Sequence, residues 1–130
     1  MQTFLPVASF IESAKILDYR RLGKQRVEAK QILKAIHVGG GWQNHPAVRM
    51  WRAFEPALCG YYNAMVTEWI ERGYNNNMPL IAIETWDLPT WFGNPAFHAA
   101  HRSNLLRKAP EYYQQFDWTE PNDLEYVWPV

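Results

Sequence analysis

Four cations stand within seven residues in Arg20-Arg21-Leu22-Gly23-Lys24-Gln25-Arg26. Guanidinium and ammonium groups at that density can hold several phosphates, and a glycine among them lets a backbone come close. The competing reading is a solvated helix surface, with Lys24 and Glu28 paired four residues apart. A second cluster, Asn44-His45-Pro46-Ala47-Val48-Arg49-Met50-Trp51-Arg52, gathers His45, Arg49, Arg52 and an indole at a helix start. Backbone N–H groups also favour an anion there. Trp51 suits either base stacking or, more simply, the core, and His45 either a ligand contact or a cap. The third cluster is His98-Ala99-Ala100-His101-Arg102-Ser103-Asn104. His98 and His101 are spaced to chelate a metal together, but no third ligand sits at a diagnostic spacing, so no metal is expected. Phosphate contact, with Arg102 beside them, and hydrogen bonding within the core are the remaining roles. Cys59, set among apolar residues, reads as a small buried hydrophobe rather than a nucleophile. No P-loop, dinucleotide fingerprint or nucleophile elbow is present.

The elements that must position these clusters are helical. Ser9-Phe10-Ile11-Glu12 has the form of a capping box, and a first helix is predicted to run to about Tyr19 with Phe10, Ala14 and Leu17 on one stripe. Gly23 is predicted to interrupt, with a second helix from near Lys24 to His37 built on Ala29, Ile32, Leu33 and Ile36. Gly39-Gly40-Gly41 ends it. Asn44 is the predicted N-cap of the next stretch, Pro46 sits in its first turn, and Pro56 breaks or kinks it. Beyond lie Leu58, Tyr62, Met65, Val66, Trp69 and Ile70 as an apolar stripe, and Gly73 as its C′ residue. Residues 74–93 read as a long loop, in which Leu80-Ile81-Ala82-Ile83 is a strand candidate without a partner. Asn94-Pro95 starts a fourth helix to about Lys108, and Pro110 stops it. One further turn is expected over 111–116. The expectation is an all-α single domain over 1–130 of about four helices, with a long irregular loop and an acidic, aromatic tail at 117–130.

Composition agrees with that frame. The 130 residues are 48% hydrophobic and 20% charged, which excludes a disordered chain. One cysteine excludes an internal disulfide framework and suits a reducing compartment. Neither a signal-peptide pattern nor a membrane-length apolar run occurs, so a cytoplasmic protein without a membrane partner is expected. Aromatic residues reach 15%, a large supply of stacking surface. Charge is uneven although the formal net charge is zero: residues 1–34 carry seven basic groups against three acidic ones, while 111–130 carry five acidic and no basic groups. Such asymmetry points to an electropositive face for an anionic partner, with the tail elsewhere or folded against it.

Taken in order, these clusters resemble the small all-helical pyrimidine-dimer DNA glycosylases of the endonuclease V type. Nearly the whole chain takes part. Tyr19-Arg20-Arg21-Leu22 is similar to the family's Tyr-Arg-Glu-Leu, Glu71-Arg72-Gly73-Tyr74 to its Lys-Arg-Gly-Phe, and Leu105 to Tyr113 to its basic helix followed by a Trp-Tyr-rich tail. A bacterial and phage branch of that superfamily is closer still. It shares Arg-Leu-Gly-Lys-Gln-Arg-Val-Glu (Arg21 to Glu28), Asn-His-Pro-Ala-Val-Arg-Met-Trp (Asn44 to Trp51) and His-Arg-Ser-Asn-Leu-Leu-Arg-Lys (His101 to Lys108).

The resemblance implies a free amino-terminal amine that attacks the sugar C1′ at a damaged pyrimidine and forms a Schiff base. A glutamate stabilises the sugar intermediate and assists β-elimination. An α-amine, ordinarily titrating at about 7.7–8.0, keeps a neutral nucleophilic fraction at neutral pH. The resemblance also implies phosphate-clamping arginines, a flipped base and no cofactor. Arg20 matches the family's phosphate-contacting arginine, and Lys24 or Arg26 the second. Two departures matter: Arg21 stands where the family has its glutamate, and bulky Gln2 should leave Met1 in place. Met1, Glu28 and Asp18 are therefore the catalytic candidates. Arg20, Arg21, Lys24, Arg26, His45, Arg49, His98, His101 and Arg102 are the candidates for DNA contact. A monomer acting on damaged or modified double-stranded DNA as a glycosylase and AP lyase is one expectation. The other is a DNA- or nucleotide-binding module that kept the fold without the glutamate.

Overall fold

The Ser9 hydroxyl accepts the Glu12 amide at 3.1 Å and opens α1 (Phe10–Ile16) in the computed structural model, which describes residues 1–130. Only half of the expected capping box forms, because the Ser9 N–H donates to the Val7 carbonyl and Glu12 lies 3.8 Å from Lys15 instead. The helix stops before Tyr19. Leu17 and Asp18 are extended, and Arg72 collects the carbonyls of Ala14, Lys15 and Leu17 at 3.1, 3.1 and 2.7 Å. A cation at a helix C-terminus complements the partial negative charge there.

α2 (Tyr19–Val38) then runs straight through Gly23, where a break was expected. The glycine serves packing rather than a turn: a Cβ at position 23 would stand 2.9 Å from the Trp69 ring. The break falls five residues earlier, at Asp18. Gly39, with φ 81°, ends α2. His45, not Asn44, caps α3 (Pro46–Trp51), its Nδ1 accepting the Ala47 amide at 3.0 Å. The break expected at Pro56 appears as a 3-10 turn over Arg52–Phe54, and the proline sits in the first turn of α4 (Glu55–Glu71). Ile70 leaves the predicted stripe and is exposed. Asn94 starts α5 (Pro95–Lys108) by accepting the Ala96 and Phe97 amides at 2.9 and 3.2 Å. α6 (Pro110–Tyr113) and a 3-10 turn over Gln114–Phe116 follow. Six α-helices thus replace the four expected, the difference being short elements beside prolines. No strand forms over 80–83. Loop 74–93 is fastened to α4 by side chains: Tyr62 donates to the Pro79 carbonyl at 2.7 Å, the Trp69 indole to the Asn75 carbonyl at 2.7 Å, and Asn63 exchanges two bonds of 2.8 Å with Ile81. No helix is long and apolar enough to cross a membrane.

Residues 2–6 are buried and belong to no helix or strand. A buried segment outside helix and strand leaves its amides and carbonyls to be satisfied by side chains. The Phe4 N–H donates to Gln25 Oε1 at 2.9 Å, and the Tyr61 hydroxyl reaches the Phe4 carbonyl at 2.9 Å and Gln25 Oε1 at 2.6 Å. The Leu5 N–H donates to His101 Nδ1 at 2.8 Å, while His98 Nδ1 meets the Leu5 carbonyl at 2.7 Å. His98 Nε2 accepts the Gly93 amide at 3.0 Å. The two rings are thereby fixed as opposite neutral tautomers, Nδ1–H on His98 and Nε2–H on His101. Arg102 donates to the Pro6 carbonyl at 2.7 Å, and the buried Trp51 indole to Thr3 Oγ1 at 3.0 Å. Trp51 is thus a core indole.

Two predictions follow from these contacts. Helix propensity alone would have Gly23→Ala stabilise α2 by about 1 kcal/mol. The Trp69 contact reverses the sign, and chemical denaturation should show a loss of roughly 1–3 kcal/mol, the usual range for an overpacked site. Burial, with His98 adding to it, pushes the His101 pKa from 6.5 down to about 3. The unfolded chain therefore takes up this proton first. Stability is full above the unfolded value and falls as pH drops from about 6.5 towards 3, with a slope of up to about 1.4 kcal/mol per pH unit. His101→Asn keeps an acceptor for the Leu5 amide; unfolding curves between pH 7 and 5 should be lower overall but flatter.

Candidate functional site

The buried amino-terminal segment delivers Met1 to a cavity of about 540 Å³. One face of α2 forms its floor, because residues 20, 24 and 28 and residues 21 and 25 recur at helical spacing. Arg20, Arg21, Lys24, Gln25 and Glu28 line it from that face. Gln2 and Phe4 come from the terminal segment, Lys108 from the end of α5 and Tyr126 from the tail. Four cations and one carboxylate therefore meet around the amino terminus, a field suited to an anionic ligand.

Glu28 is the one carboxylate that lines the cavity with Met1. Its Oε2 accepts the Gln2 amide at 3.2 Å and the Gln25 side-chain amide at 3.0 Å. Gln25 in turn carries the Phe4 amide on its Oε1, so one side chain fixes both the terminal segment and the glutamate. Tyr61 beneath it is buried, and burial, helped by Glu28, holds its phenol well above the ordinary value. It is a neutral donor. The Gln2 side chain is 7% exposed, with Oε1 taken by the Thr3 amide and Nε2 unpaired.

The remaining candidates separate. Asp18 lies outside this cavity, where its carboxylate binds Arg21 at 3.1 Å and the Tyr113 hydroxyl. Arg26 faces the other side of α2, 4.1 Å above the Trp69 ring and 2.8 Å from Asn76 Oδ1, and burial lowers its pKa. Arg102 is held by Glu120 and the Pro6 carbonyl. His98 and His101 are buried against Leu5, so of their two readings the geometry has hydrogen bonding within the core rather than a face open to phosphate. Arg49 is exposed on α3. His45 is close enough to feel the site: burial first, then the positive amino terminus, lowers its pKa, with Glu28 acting the other way. Cys59 is buried, and burial raises its thiol. No group of His, Cys, Asp and Glu is arranged to hold a metal ion.

Gln25, Lys108 and Tyr126 were not among the candidates read from the sequence. The signal for Gln25 was available: it interrupts the apolar positions Leu22, Ala29 and Ile32 of α2, where a polar residue needs a buried partner. Lys108 and Tyr126 had no such mark, since only the packing of α5 and the tail brings them to α2.

The model of the pyrimidine dimer DNA glycosylase family matches residues 1–82, which include the terminal segment and α1 to α4. Comparison with curated proteins and with solved structures finds no match. With more than half of its length matched, the chain belongs to the pyrimidine dimer DNA glycosylase family.

Proposed function

We propose that the chain is a DNA glycosylase with AP-lyase activity on a damaged or modified pyrimidine in double-stranded DNA, acting through the α-amine of Met1. The observation that carries this reading is that Met1 and Glu28 share one cavity ringed by Arg20, Arg21, Lys24 and Lys108. The neutral amine attacks C1′ of the damaged nucleotide. The base departs with the electron pair of the glycosidic bond and the nitrogen loses one proton. The C1′–O4′ bond then breaks, its electrons going to O4′, which takes up a proton, as the nitrogen lone pair forms the C1′–nitrogen double bond of a protonated Schiff base. Glu28 stabilises the cationic sugar and accepts the C2′ proton, and the electrons of that C–H bond expel the 3′ phosphate. Arg21 at the family's glutamate position supports a phosphate contact there. The carboxylate's task passes to Glu28, seven residues or about two helical turns further along α2. Asp18 acts indirectly by holding Arg21. Arg20, Lys24 and Lys108 contact the backbone, with His45, which feels the amino terminus, and exposed Arg49 as further contacts. Arg26, Arg102, His98 and His101 support the fold instead.

The presence of Arg21 also favours a second reading, a module that grips damaged DNA without cutting it. Borohydride trapping on duplexes with an abasic site separates the two. A covalent adduct mapped to Met1 is expected, and binding without an adduct would transfer the case to the module. Acetylating the amino terminus should abolish trapping while leaving duplex affinity in place. Glu28→Gln should slow single-turnover nicking by about 100-fold or more, in the range of lost acid–base catalysis, whereas Asp18→Asn should cost far less.

Affinity should fall linearly with the logarithm of salt concentration. Arg20→Ala and Lys24→Ala should each reduce the slope by about 0.9, one phosphate apiece. Slopes that stay unchanged in both variants would remove the cavity rim from the DNA-contacting surface.

A further inference from the structure

Gln25 is 1% exposed and stands between Leu22 and Ala29 on the buried side of α2. A polar side chain in that position needs a partner for each end, and its two ends meet different neighbours. Oε1 accepts the Phe4 amide at 2.9 Å and lies 2.6 Å from the Tyr61 hydroxyl. Nε2 donates to Glu28 Oε2 at 3.0 Å. The side chain cannot turn over, because a flip would set its NH2 group against the Phe4 N–H and its carbonyl oxygen against the Glu28 carboxylate. The oxygen end therefore belongs to the fold and the nitrogen end to the cavity.

Glu28 is gripped by one oxygen from two directions. The Gln2 backbone amide donates to Oε2 at 3.2 Å, beside the Gln25 bond, and neither donor uses Oε1. Gln2 follows Met1 directly, so the amine and the carboxylate are tied into one frame that passes through Gln25. The chemistry proposed above makes a demand that such a frame meets. Once the amine has bonded to C1′, the proton that must leave is on C2′, the adjacent carbon. The group that takes it must be held within reach of that position. A free glutamate samples many rotamers. Two donors on one oxygen remove that freedom and leave the other oxygen open.

Resting on that reading, we propose that Gln25 is a positioning residue for the elimination step, holding Glu28 by Oε2 so that Oε1 takes the C2′ proton. The electron pair of that C–H bond becomes the C2′–C3′ double bond, and the phosphate leaves with the electron pair of the C3′–O bond. Attack by the amine does not use this contact.

The test follows a duplex with an aldehydic abasic site through a single turnover, reading the borohydride-trappable adduct and the nicked strand separately. Gln25→Glu keeps an acceptor for Phe4 and Tyr61 but replaces the donor to Glu28 by a second carboxylate oxygen. Its adduct should form at close to the wild-type rate. Nicking from the adduct should slow by roughly 10- to 100-fold, the scale of a small misplacement, with duplex affinity little changed. Nicking at the wild-type rate overturns the role, and so does an equal slowing of both steps, which marks a merely structural contact. If Gln25→Glu fails to fold, Gln25→Met is compared with and without Glu28→Gln. A loss in nicking from the adduct that disappears in the Glu28→Gln background supports the role, and the same loss in both backgrounds overturns it. Absence of an adduct in the wild type removes the amine chemistry and this role with it, whereas a wild-type adduct with unchanged variants overturns the role alone.

Discussion

A non-helical segment buried inside an all-helical core carries polar backbone groups that no helix can satisfy. Each unpaired amide or carbonyl there would cost about 1–3 kcal/mol. Here Gln25, Tyr61, His98, His101 and Arg102 take on the work that a neighbouring strand would do in a sheet. They come from α2, α4 and α5, so the segment in effect ties the three long helices together. Much else follows from this requirement. The histidines must be neutral, each with a set tautomer; Gln25 must interrupt an apolar stripe; and Met1 must emerge at one place beside Glu28.

The basic run on α2 shows how a helix divides a single sequence cluster into two jobs. Residues 20, 21 and 24 face the cavity, whereas Arg26 lies across the helix on the Trp69 ring. Trp69 is also the ring that occupies the space beside Gly23 and stacks on Tyr19. The straight course of α2 past Gly23 and the separation of Arg26 from its neighbours therefore share one cause. Without a glycine at 23, α4 could not approach closely enough for Trp69 to reach both.

Much of the architecture was legible in the residues. Proline and asparagine placed the starts of α4 and α5, three glycines placed the end of α2, and the stripes of α1 and α2 named core residues that are buried, Ile36 alone being half-buried. The errors share a physical origin. Gly23 was read by its propensity, but what fixes it is a contact with a residue 46 positions away. Asn44 is a strong N-cap by type, yet His45 lies one residue closer to the first free amide and does the capping. In the site, Met1, Glu28, Arg20, Arg21 and Lys24 stood out because they lie within or close to one basic cluster or at the chain's start. Lys108 and Tyr126 did not, because their place depends on how α5 and the tail cross α2. Charge type alone could not separate Arg102, which is engaged by Glu120, from Lys108 on the same helix.

The loop from 74 to 93 has a consequence for how order is measured in this fold. It is pinned to α4 through side chains, and within it the amides of Tyr74, Ile81, Phe92 and Gly93 are the ones bonded to protein acceptors. Deuterium uptake follows amide hydrogen bonding rather than fixity of position. Most of this loop will accordingly take up label as quickly as an unstructured tail while its path stays set, and Ile81, gripped by Asn63, will stand out as a protected amide in a fast-labelling stretch.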